Sequence, residues 1–512
     1  TKTIKKFKVA SNSPWNEDTK KYVCGHYSDQ VQLVTINAQA EKELEIPSLL
    51  KVTDINEIKN SVSKNLAFGN AENLFYDPTN KLIFKCVEDA KLVLVAYYGN
   101  QEFVNVPQKF RIDGQKYNVT TIGEYAFKNK ENLKFLNLPN SITEIGMCAF
   151  NGCTNLQLKE LPKDTKKISA GAFNNCMNLK LTQLPNNVTE IGEFAFCNCT
   201  SLKLTQLPNN VTEIGEFAFC NCTNLKLTNL PDNVTEIGNF TFNGCTNLQL
   251  KALPANITKI GEFAFDHCKN LELTELPNGI TKIPDYAFRN CTNLKLTNLP
   301  DNVTEIGEHA FDHCKSLELT ELPKNIKKIS ECAFQYCTKL KLTKLFDNVT
   351  EIGMAAFSNC KNLELTELPS AITKIPAFTF QNCTNLKLTK LPDNVTEIGM
   401  LAFYNTNTES IYIPASVTKL GERSFETKTI KVINKADNSK LTNDDLIRAC
   451  GRYFQQTNYN QYLKRPIFRQ IEKYEIIGKS CPICCRNLEF NADDNNGNNI
   501  VELPCAKNHH YM

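Results

Sequence analysis

The chain has 512 residues, with 58 Lys and Arg against 55 Asp and Glu, so its formal net charge is only +3. This balance argues against nucleic acid or an anionic membrane surface as the partner. No apolar run approaches the roughly 20 residues that cross a bilayer, because the longest candidate, residues 91–99, has only the length of a strand.

The N-terminal region, residues 1–80, contains no motif that predicts a fold or a function. Its opening residues lack the apolar core of a secretory signal. The sequence begins with Thr rather than Met, and from this we expect it to be a fragment of a longer chain.

From residue 122 onward one short repeat recurs fourteen times, at a spacing of 23 residues that changes once, to 22, before Leu420. Its shared form is I-G-x-x-A-F-x-x-C-x-x-L-x-L-x-x-L-P-x-x-V-T-x. A fixed period of about 20–29 residues is typical of a leucine-rich solenoid. We therefore predict an α/β-type repeat solenoid over residues 117–434, in which stacked repeats share one core.

The positions of the repeat predict its local structure. The two leucines, such as Leu202 and Leu204, stand two residues apart, so both face the core from a short extended segment. The following Pro208 lacks an amide proton and ends the strand pairing. The V-T-x-I-G residues predict a second extended stretch, and the x-x-A-F residues predict a tight helical or 3₁₀ turn.

Eleven cysteines occupy one position of the repeat, 23 residues apart. An odd set of equivalent cysteines suits buried thiols better than paired disulfides, which favours a reducing compartment. Asn-x-Thr also recurs, as at Asn187 and Asn210, and a secretory route would expose such a chain to heavy glycosylation. We therefore expect a cytoplasmic protein, with a cell-surface or secreted location as the alternative. The eleven are Cys153, Cys176, Cys199, Cys222, Cys245, Cys268, Cys291, Cys314, Cys337, Cys360 and Cys383.

These repeats resemble the leucine-rich repeats of the BspA type, known from bacterial surface proteins and from large expansions in protists. The resemblance covers residues 82–425, and YNVTTIGEYAF at 117–127 matches the family's usual opening repeat. Residues 81–116 resemble the β-hairpin cap with which family members cover that repeat. The family has an apolar residue nine positions after the Phe of the repeat, whereas most repeats here have Leu eight positions after it. The first repeat has an apolar residue at both positions, Phe135 and Leu136.

The residue between the two leucines points away from the core and alternates in charge over the later repeats. One interpretation is a self-complementary surface, since opposite charges on neighbouring strands contribute about 0.2–1 kcal/mol each. The other is a polar strip on the exposed sheet face that binds a protein partner. These residues are Lys226, Gln249, Glu272, Lys295, Glu318, Lys341, Glu364 and Lys387.

Three histidines lie within the array. His267 and His313 hold a position where Asn is common, which predicts solvated turn residues. The alternative for the pair His309 and His313 is that they ligate a metal ion or act as acid and base. No other pattern in the array suggests catalysis.

Residues 435–478 follow the last repeat and predict a helical segment. Thr442 or Asn443 can cap a helix here. Apolar residues follow at a spacing of three and four, as with Leu446, Ala449 and Cys450. We expect this segment to cover the last repeat and to lead into the tail.

The tail, residues 479–512, carries four candidate zinc ligands. Cys481 and Cys484 form C-P-I-C, a knuckle in which two thiolates converge on one ion. Cys505 and His509 supply two more ligands after a polar loop.

This tail resembles the first half of a RING finger. The resemblance implies that Cys481 and Cys484 bind one structural zinc ion, that Cys505 and His509 begin a second site, and that Ile483 contacts a ubiquitin-conjugating enzyme. A single Cys-Cys-Cys-His zinc site and ordinary unliganded cysteines are the alternatives.

The leading functional hypothesis combines the array with this tail. The solenoid would recruit a protein substrate and a RING finger would pass ubiquitin to it, with zinc as a structural cofactor and no catalytic residue in the repeats. The alternative is a BspA-like surface or secreted adhesin, or a scaffold, without enzymatic activity.

Overall fold

The computed structural model describes residues 74–450, except 78, 89, 113–114, 409, 427–430 and 435–440. The predictions for residues 1–73 and 451–512, which include the whole tail, lie outside the described residues. The described residues form the strands β1 Leu74–Asp77, β2 Leu82–Val87, β3 Lys91–Tyr97, β4 Phe103–Asn105, β5 Lys109–Ile112, β6 Gln115–Ile122, β7 Phe135–Asn137, β8 Glu144–Ile145, β9 Lys167–Ile168, β10 Glu190–Ile191, β11 Glu213–Ile214, β12 Glu236–Ile237, β13 Lys259–Ile260, β14 Lys282–Ile283, β15 Glu305–Ile306, β16 Lys328–Ile329, β17 Glu351–Ile352, β18 Lys374–Ile375, β19 Glu397–Ile398, β20 Ser410–Ile413, β21 Lys419–Leu420 and β22 Lys431–Asn434, and the helix α1 Asn443–Cys450.

The chain folds as a β-solenoid of about fourteen turns, which confirms the predicted repeat architecture. Helix within the described residues is confined to α1. The chain divides into two compact units. The N-terminal unit comprises Thr1–Val234 and Thr241–Leu248, and the C-terminal unit comprises Thr235–Phe240 and Gln249–Met512.

The predicted N-terminal β cap is present. Strands β1, β2 and β3 pair antiparallel, and β3 then pairs parallel with β6, which leads into the first repeat. Leu82, Ile83 and Phe84 on β2 are fully buried, so the cap closes the core at this end of the array. Strand β1 precedes residue 81.

The residues before the conserved Gly form a parallel ladder of two-residue strands. In the N-terminal unit, β6, β8, β9, β10 and β11 pair in register, so that each Ile lies opposite the Ile of the next repeat. In the C-terminal unit the ladder forms three sheets, β12 with β13, β14 to β17, and β18 with β19 and β21.

Both breaks within the C-terminal unit coincide with a proline. In unbroken repeats the amide after Ile donates to the Ile carbonyl of the preceding repeat, as Gly307 does to Ile283 at 2.8 Å. Pro284 and Pro376 hold the same position and have no amide proton to donate. The ladder is therefore interrupted between β13 and β14 and between β17 and β18.

The prediction of a helical or 3₁₀ turn at x-x-A-F is wrong. Each of these segments is a chain of turns with two left-handed residues, such as Phe194 (φ 54°) and Asn198 (φ 61°). The amides point to the next repeat instead of along a helix axis. Phe196 donates to Ala218 at 2.8 Å and Asn198 donates to Cys220 at 2.7 Å. Other amides close turns within the repeat, as Ala195 donates to Gly192 at 3.2 Å, so the backbone hydrogen bonds both join repeats and hold the turns of one repeat.

The core is a set of columns, each holding one side chain per repeat. Phenylalanine rings stack in register, with centroids 5.4 Å apart between Phe173 and Phe196 and 5.5 Å apart between Phe288 and Phe311. The eleven predicted cysteines are fully buried, which confirms the thiol ladder. Ladder thiols such as Cys291 and Cys314 donate the S–H to the Phe carbonyl of the preceding repeat, Phe265 and Phe288, at 3.0 Å.

The leucine segments also contribute to the core, but in two registers. In the first repeat Leu136 is buried and Phe135 is exposed, and this segment is the regular strand β7, paired with β4. In later repeats the leucine eight residues after the Phe is buried instead, as with Leu204. Backbone hydrogen bonds such as Lys226 to Leu204 at 3.0 Å link these segments without a regular strand, whereas Ser410–Ile413 forms the strand β20, paired with β22.

Helix α1 covers the last repeat, as predicted. Thr442 caps its first turn, since the Asp445 amide donates to the Thr442 hydroxyl at 3.2 Å and the Thr442 amide donates to the Asp445 carboxylate at 2.8 Å. The amides of Arg423 and Phe425 donate to the helix carbonyls of Arg448 and Ala449. The helix thus accepts the bonds that a further repeat would accept.

Candidate functional site

The residue between the two core leucines of each repeat forms a strip of polar side chains. The flanking leucines are buried, whereas the residue between them reaches solvent at Lys180, Lys203 and Lys226. Their backbones are linked from repeat to repeat, since Lys203 donates to Leu181 at 3.3 Å. The strip therefore displays one side chain at each repeat spacing.

In the N-terminal unit this strip carries three lysines in succession. Lys180 donates to the Gln157 side chain at 2.8 Å, so its neighbour on one side is a neutral amide. On its other side stand Lys203 and then Lys226, at the same position of the next two repeats. Like charges at directly opposite positions repel, so this column carries an electrostatic cost.

In the C-terminal unit, neighbouring side chains of the same strip form ion pairs, as the interpretation of a self-complementary surface predicted. Lys295 bonds to Glu272 at 3.3 Å, and Lys387 bonds to Glu364 at 2.6 Å. Glu318 forms its ion pair, at 3.0 Å, with Lys339 instead of with Lys341 of the strip. These pairs are substantially exposed, so each contributes little to stability.

A second ladder of charges escaped the sequence analysis. It lies on the residue just before each Ile, where Lys282 bonds to Glu305 at 3.1 Å and Lys328 bonds to Glu351 at 3.1 Å. The sequence does carry the signal, because Glu and Lys exchange at this position from repeat to repeat.

The structure places His267 and His313 in turns, as predicted, each with a left-handed backbone. They are half-exposed rather than fully solvated, with side-chain exposures of 44 % and 36 %. His309 and His313 share one carboxylate, since their Nδ1 atoms lie 3.0 Å and 2.7 Å from the two oxygens of the buried Asp312. Asp312 therefore lies between the two rings.

Asp266 is the equivalent of Asp312 two repeats earlier and binds two cationic groups. Arg289 forms a bidentate pair with it at 2.9 Å and 2.6 Å. Burial lowers the pKa of Arg289 to about 10. The hydrogen bond that His267 donates to the Asp266 carboxylate raises the pKa of His267 above its ordinary value. The pair of Asp266 and Arg289 joins neighbouring repeats.

One group in the described residues could hold a metal ion. A ring nitrogen of His309, a carboxylate oxygen of Glu331 and the Sγ atom of Cys332 all lie within 4.8 Å of one another. Burial, together with the charges of Glu331, Asp312 and Glu308, raises the pKa of the Cys332 thiol to about 12. Sequence analysis had noted His309 but not the residues 22 and 23 positions later, which the period itself brings alongside.

The predicted zinc ligands Cys481, Cys484, Cys505 and His509, and the predicted enzyme contact Ile483, lie outside the described residues. Their assignment remains a prediction. No helix in the part of the chain that the structure describes has the length and apolar character to cross a membrane.

The stacked repeats, the leucine and phenylalanine columns and the cap define a leucine-rich repeat solenoid. Comparison with known families matches residues 120–249, 212–341 and 304–431 to the BspA type leucine-rich repeat region. These segments together span more than half of the chain, and the chain belongs to this family. No curated protein matches the chain.

Among solved structures, a leucine-rich repeat protein from Bacteroides ovatus is 26% identical, with a TM-score of 0.50, over 67% of this chain and 90% of that chain. A leucine-rich cell surface protein from Faecalibacterium prausnitzii is 29% identical over 72% of this chain and 96% of that chain, with a TM-score of 0.47. A leucine-rich repeat protein from T. pallidum is 31% identical over 38% of this chain and 91% of that chain, with a TM-score of 0.34. The first of these supports the fold.

Proposed function

We propose that this chain is a non-enzymatic protein-binding repeat protein, and that the lysine strip of its N-terminal unit contacts an acidic surface of the partner. The observation that carries the proposal is the succession Lys180, Lys203 and Lys226 at one position of stacked repeats. In the C-terminal unit the same position alternates in charge and pairs internally.

The contrast between the two units gives the physical argument. Charge alternation lowers the electrostatic energy of a stack, whereas three like charges at one repeat spacing raise it. An acidic partner would reverse that cost, because each lysine would then face a carboxylate. The extended strip also offers several equivalent contacts, which suits a protein surface better than a small molecule.

Binding to a defined acidic probe tests the proposal. The probe is a biotinylated poly-glutamate peptide on a biosensor, with the full chain in solution at low and at physiological salt. The variant replaces Lys180, Lys203 and Lys226 by Gln, a residue that Gln157 shows to be compatible with this position. We expect binding at low salt that this variant weakens roughly tenfold, and that salt also weakens.

A matched control replaces Lys295, Lys341 and Lys387 by Gln on the C-terminal unit, which removes the same number of charges. We expect this control to bind the probe like the unchanged chain. Equal losses in the two variants would indicate a general effect of net charge and would overturn the assignment of the strip. Absence of binding by the unchanged chain would overturn it as well.

We further propose a cell-surface location, in line with the resemblance to BspA-type surface proteins. A cytoplasmic location, predicted from the thiols, is the competing proposal. Antibody binding to intact, unpermeabilised cells that make the protein separates the two. Staining that requires permeabilisation would reject the surface proposal.

A second candidate function has one observation in its favour, the spacing of Cys481, Cys484, Cys505 and His509. Under this proposal the repeats recruit a substrate and a zinc-bound RING-like tail engages a ubiquitin-conjugating enzyme through Ile483. Zinc-dependent autoubiquitination by the chain with its natural C-terminus, lost in Cys481→Ser, would support it. Retained activity in Cys481→Ser would reject it.

A further inference from the structure

The column of residues just before the conserved Ala changes its chemistry in the C-terminal unit. It carries Phe240, Phe263 and Tyr286 in successive repeats, whose rings stack 4.4–4.5 Å apart. The next two repeats carry His309 and Cys332 instead. An aromatic column thus gives way to two side chains that can donate to a metal ion.

His309 is held in one orientation by its neighbours. Its ring stacks on Tyr286, with centroids 4.8 Å apart and planes 11° apart. Its Nδ1 atom lies 3.0 Å from the Asp312 carboxylate, and Asp312 is 6% exposed. A carboxylate that accepts the Nδ1–H hydrogen bond leaves Nε2 as the metal-binding nitrogen, which is the usual support for a metal-bound histidine.

Glu331 and Cys332 complete a three-ligand group with His309. The backbone brings them together, because the His309 amide donates to the Glu331 carbonyl at 2.9 Å. The three donor atoms lie within 4.8 Å of one another. Tetrahedral zinc holds such donors about 3.3–3.8 Å apart, so the ligands need to close by about an ångström. Rotation of the partly exposed Glu331 side chain can supply that movement.

From this geometry we propose that His309, Glu331 and Cys332 form a zinc site on the C-terminal unit. Imidazole, thiolate and carboxylate are zinc ligands, whereas magnesium and calcium prefer an all-oxygen set. Glu308 and Asp312 add negative charge around Cys332, which favours a divalent cation. Three protein ligands leave a fourth position for water or for a donor from another molecule. The site is separate from the cysteine pattern of the tail.

Cobalt substitution tests the site on the full chain. The background carries Cys481→Ser, Cys484→Ser, Cys485→Ser and Cys505→Ser, so that the tail does not contribute a thiolate. Titration with cobalt(II) should give one equivalent of a thiolate-to-cobalt charge-transfer band in the near ultraviolet. Adding Cys332→Ala should abolish the band, and His309→Phe should weaken cobalt binding at least tenfold.

The array itself provides evidence that these variants fold. Ala355 holds the position of Cys332 in the next repeat with the same left-handed backbone, and Phe263 holds the position of His309 two repeats earlier. Cys148→Ala, at the same repeat position in the N-terminal unit, and His267→Asn are matched controls that should keep the band. An unchanged melting temperature without metal verifies folding.

The outcomes separate clearly. A band that disappears only with Cys332→Ala and His309→Phe supports the site, as does a zinc-induced rise in melting temperature that Cys332→Ala removes. A band that survives Cys332→Ala, or no band in the background chain, overturns it. Neither result bears on the lysine strip, which lies on the other compact unit.

Discussion

The buried cysteines show how one residue type serves a stacked core. The ladder thiols are fully buried, and a thiol such as Cys314 donates to a phenylalanine carbonyl of the preceding repeat at 3.0 Å. Burial raises the pKa of these thiols, so they stay protonated and poorly reactive. Such thiols persist in oxidising surroundings too. The ladder therefore does not identify the compartment, and the cytoplasmic prediction loses this support.

The thiol ladder predicts a loss of stability at alkaline pH. Burial raises the pKa of Cys153 from its ordinary 9.0 to about 12, and that of other ladder thiols well above 9.0. Above pH 9 the unfolded chain loses these protons while the folded chain keeps them, so the free energy of unfolding falls as pH rises. Each thiol costs about 1.4 kcal/mol per pH unit in that window.

Thermal melts of the full chain from about pH 8 to pH 11 measure this effect. We expect a nearly constant melting temperature up to pH 9 and a steep fall beyond it, because many thiols contribute together. A variant with Ala at Cys176, Cys199 and Cys222 should show a shallower fall in the N-terminal unit. A melting temperature that stays constant up to pH 11 would contradict the argument.

The recurring Asn-x-Thr triplets also have a structural reason at the scale of residues. The Asn187 side chain donates to the Lys163 carbonyl of the preceding repeat at 3.2 Å, and Asn210 donates to Asn186 at 2.8 Å. Asn is thus selected as a donor between repeats. The triplets follow from stacking, and they favour neither compartment.

At the scale of elements, proline interrupts the strand ladder at two places in the C-terminal unit. The other substitute for glycine at this position is serine, and the Ser330 amide donates to Ile306 at 3.3 Å. A side chain at this position is therefore compatible with pairing, and the missing proton of Pro284 explains the break between β13 and β14.

Pro284→Ser should close this break. The new amide is expected to donate to the Ile260 carbonyl and to exchange its proton slowly, which hydrogen-exchange mass spectrometry of the peptide around residue 284 would show. The added bond contributes about 0.5–1.5 kcal/mol and the lost rigidity of proline costs about 0.4–1 kcal/mol, so the melting temperature should change little. Pro376→Ser is the matched second case. Exchange as fast as in an exposed loop would reject the explanation.

The second charge ladder predicts a stabilising substitution. In the N-terminal unit Glu190 bonds to Lys167 at 2.9 Å on one side and faces Glu213 on the other. Glu213→Lys would place opposite charges on both sides of Glu190 and should add about 0.2–1 kcal/mol at low salt. Thermal melts measure the gain, which high salt should reduce.

Glu305→Lys is the control of opposite sign, because it places a lysine between Lys282 and Lys328. This variant should be destabilised by a similar amount at low salt. If both variants shift the melting temperature in the same direction, the cross-strand pairs are not the cause.

The sequence predicted the columns well and the turns poorly, for a physical reason. The period of 23 residues determines which side chains stack, and the leucine, phenylalanine and cysteine positions are buried as predicted. The sequence predicted helical turns, because a local pattern cannot show a hydrogen-bond partner in another repeat. In the structure such partners lie in the next repeat, as Phe288 donates to Ala310 at 2.9 Å. The proximity of His309 to Cys332 likewise depends on the stacking of neighbouring repeats, which a local pattern does not contain.

At the scale of the whole molecule, stability is a sum over neighbouring repeats. The hydrogen bonds that leave a repeat go to the repeats directly before and after it, as with Tyr286 to Glu308 at 2.8 Å. Such an array loses structure locally when one repeat is damaged, because distant repeats share no contacts with it.

Phe311→Ala tests this locality in the C-terminal unit. Phe311 is fully buried and its ring stacks 5.5 Å from Phe288 and from Phe334. The substitution should lower the free energy of unfolding by about 3–5 kcal/mol. Hydrogen exchange should speed up in the repeats on either side and should stay unchanged in the cap around β2. Uniform acceleration along the whole chain would show that the array unfolds as one cooperative body.

The register of these contacts has a consequence for how the gene can change. Residues 181–200 and 204–223 are identical, and their backbone bonds recur at the same offset. Unequal recombination between such copies would insert or delete a whole turn of the solenoid. The repeats on either side of the change would then stack in the same register. A deletion of any other length would set phenylalanine against a polar column. The coding sequence can therefore lengthen or shorten in steps of one period while the protein keeps its fold.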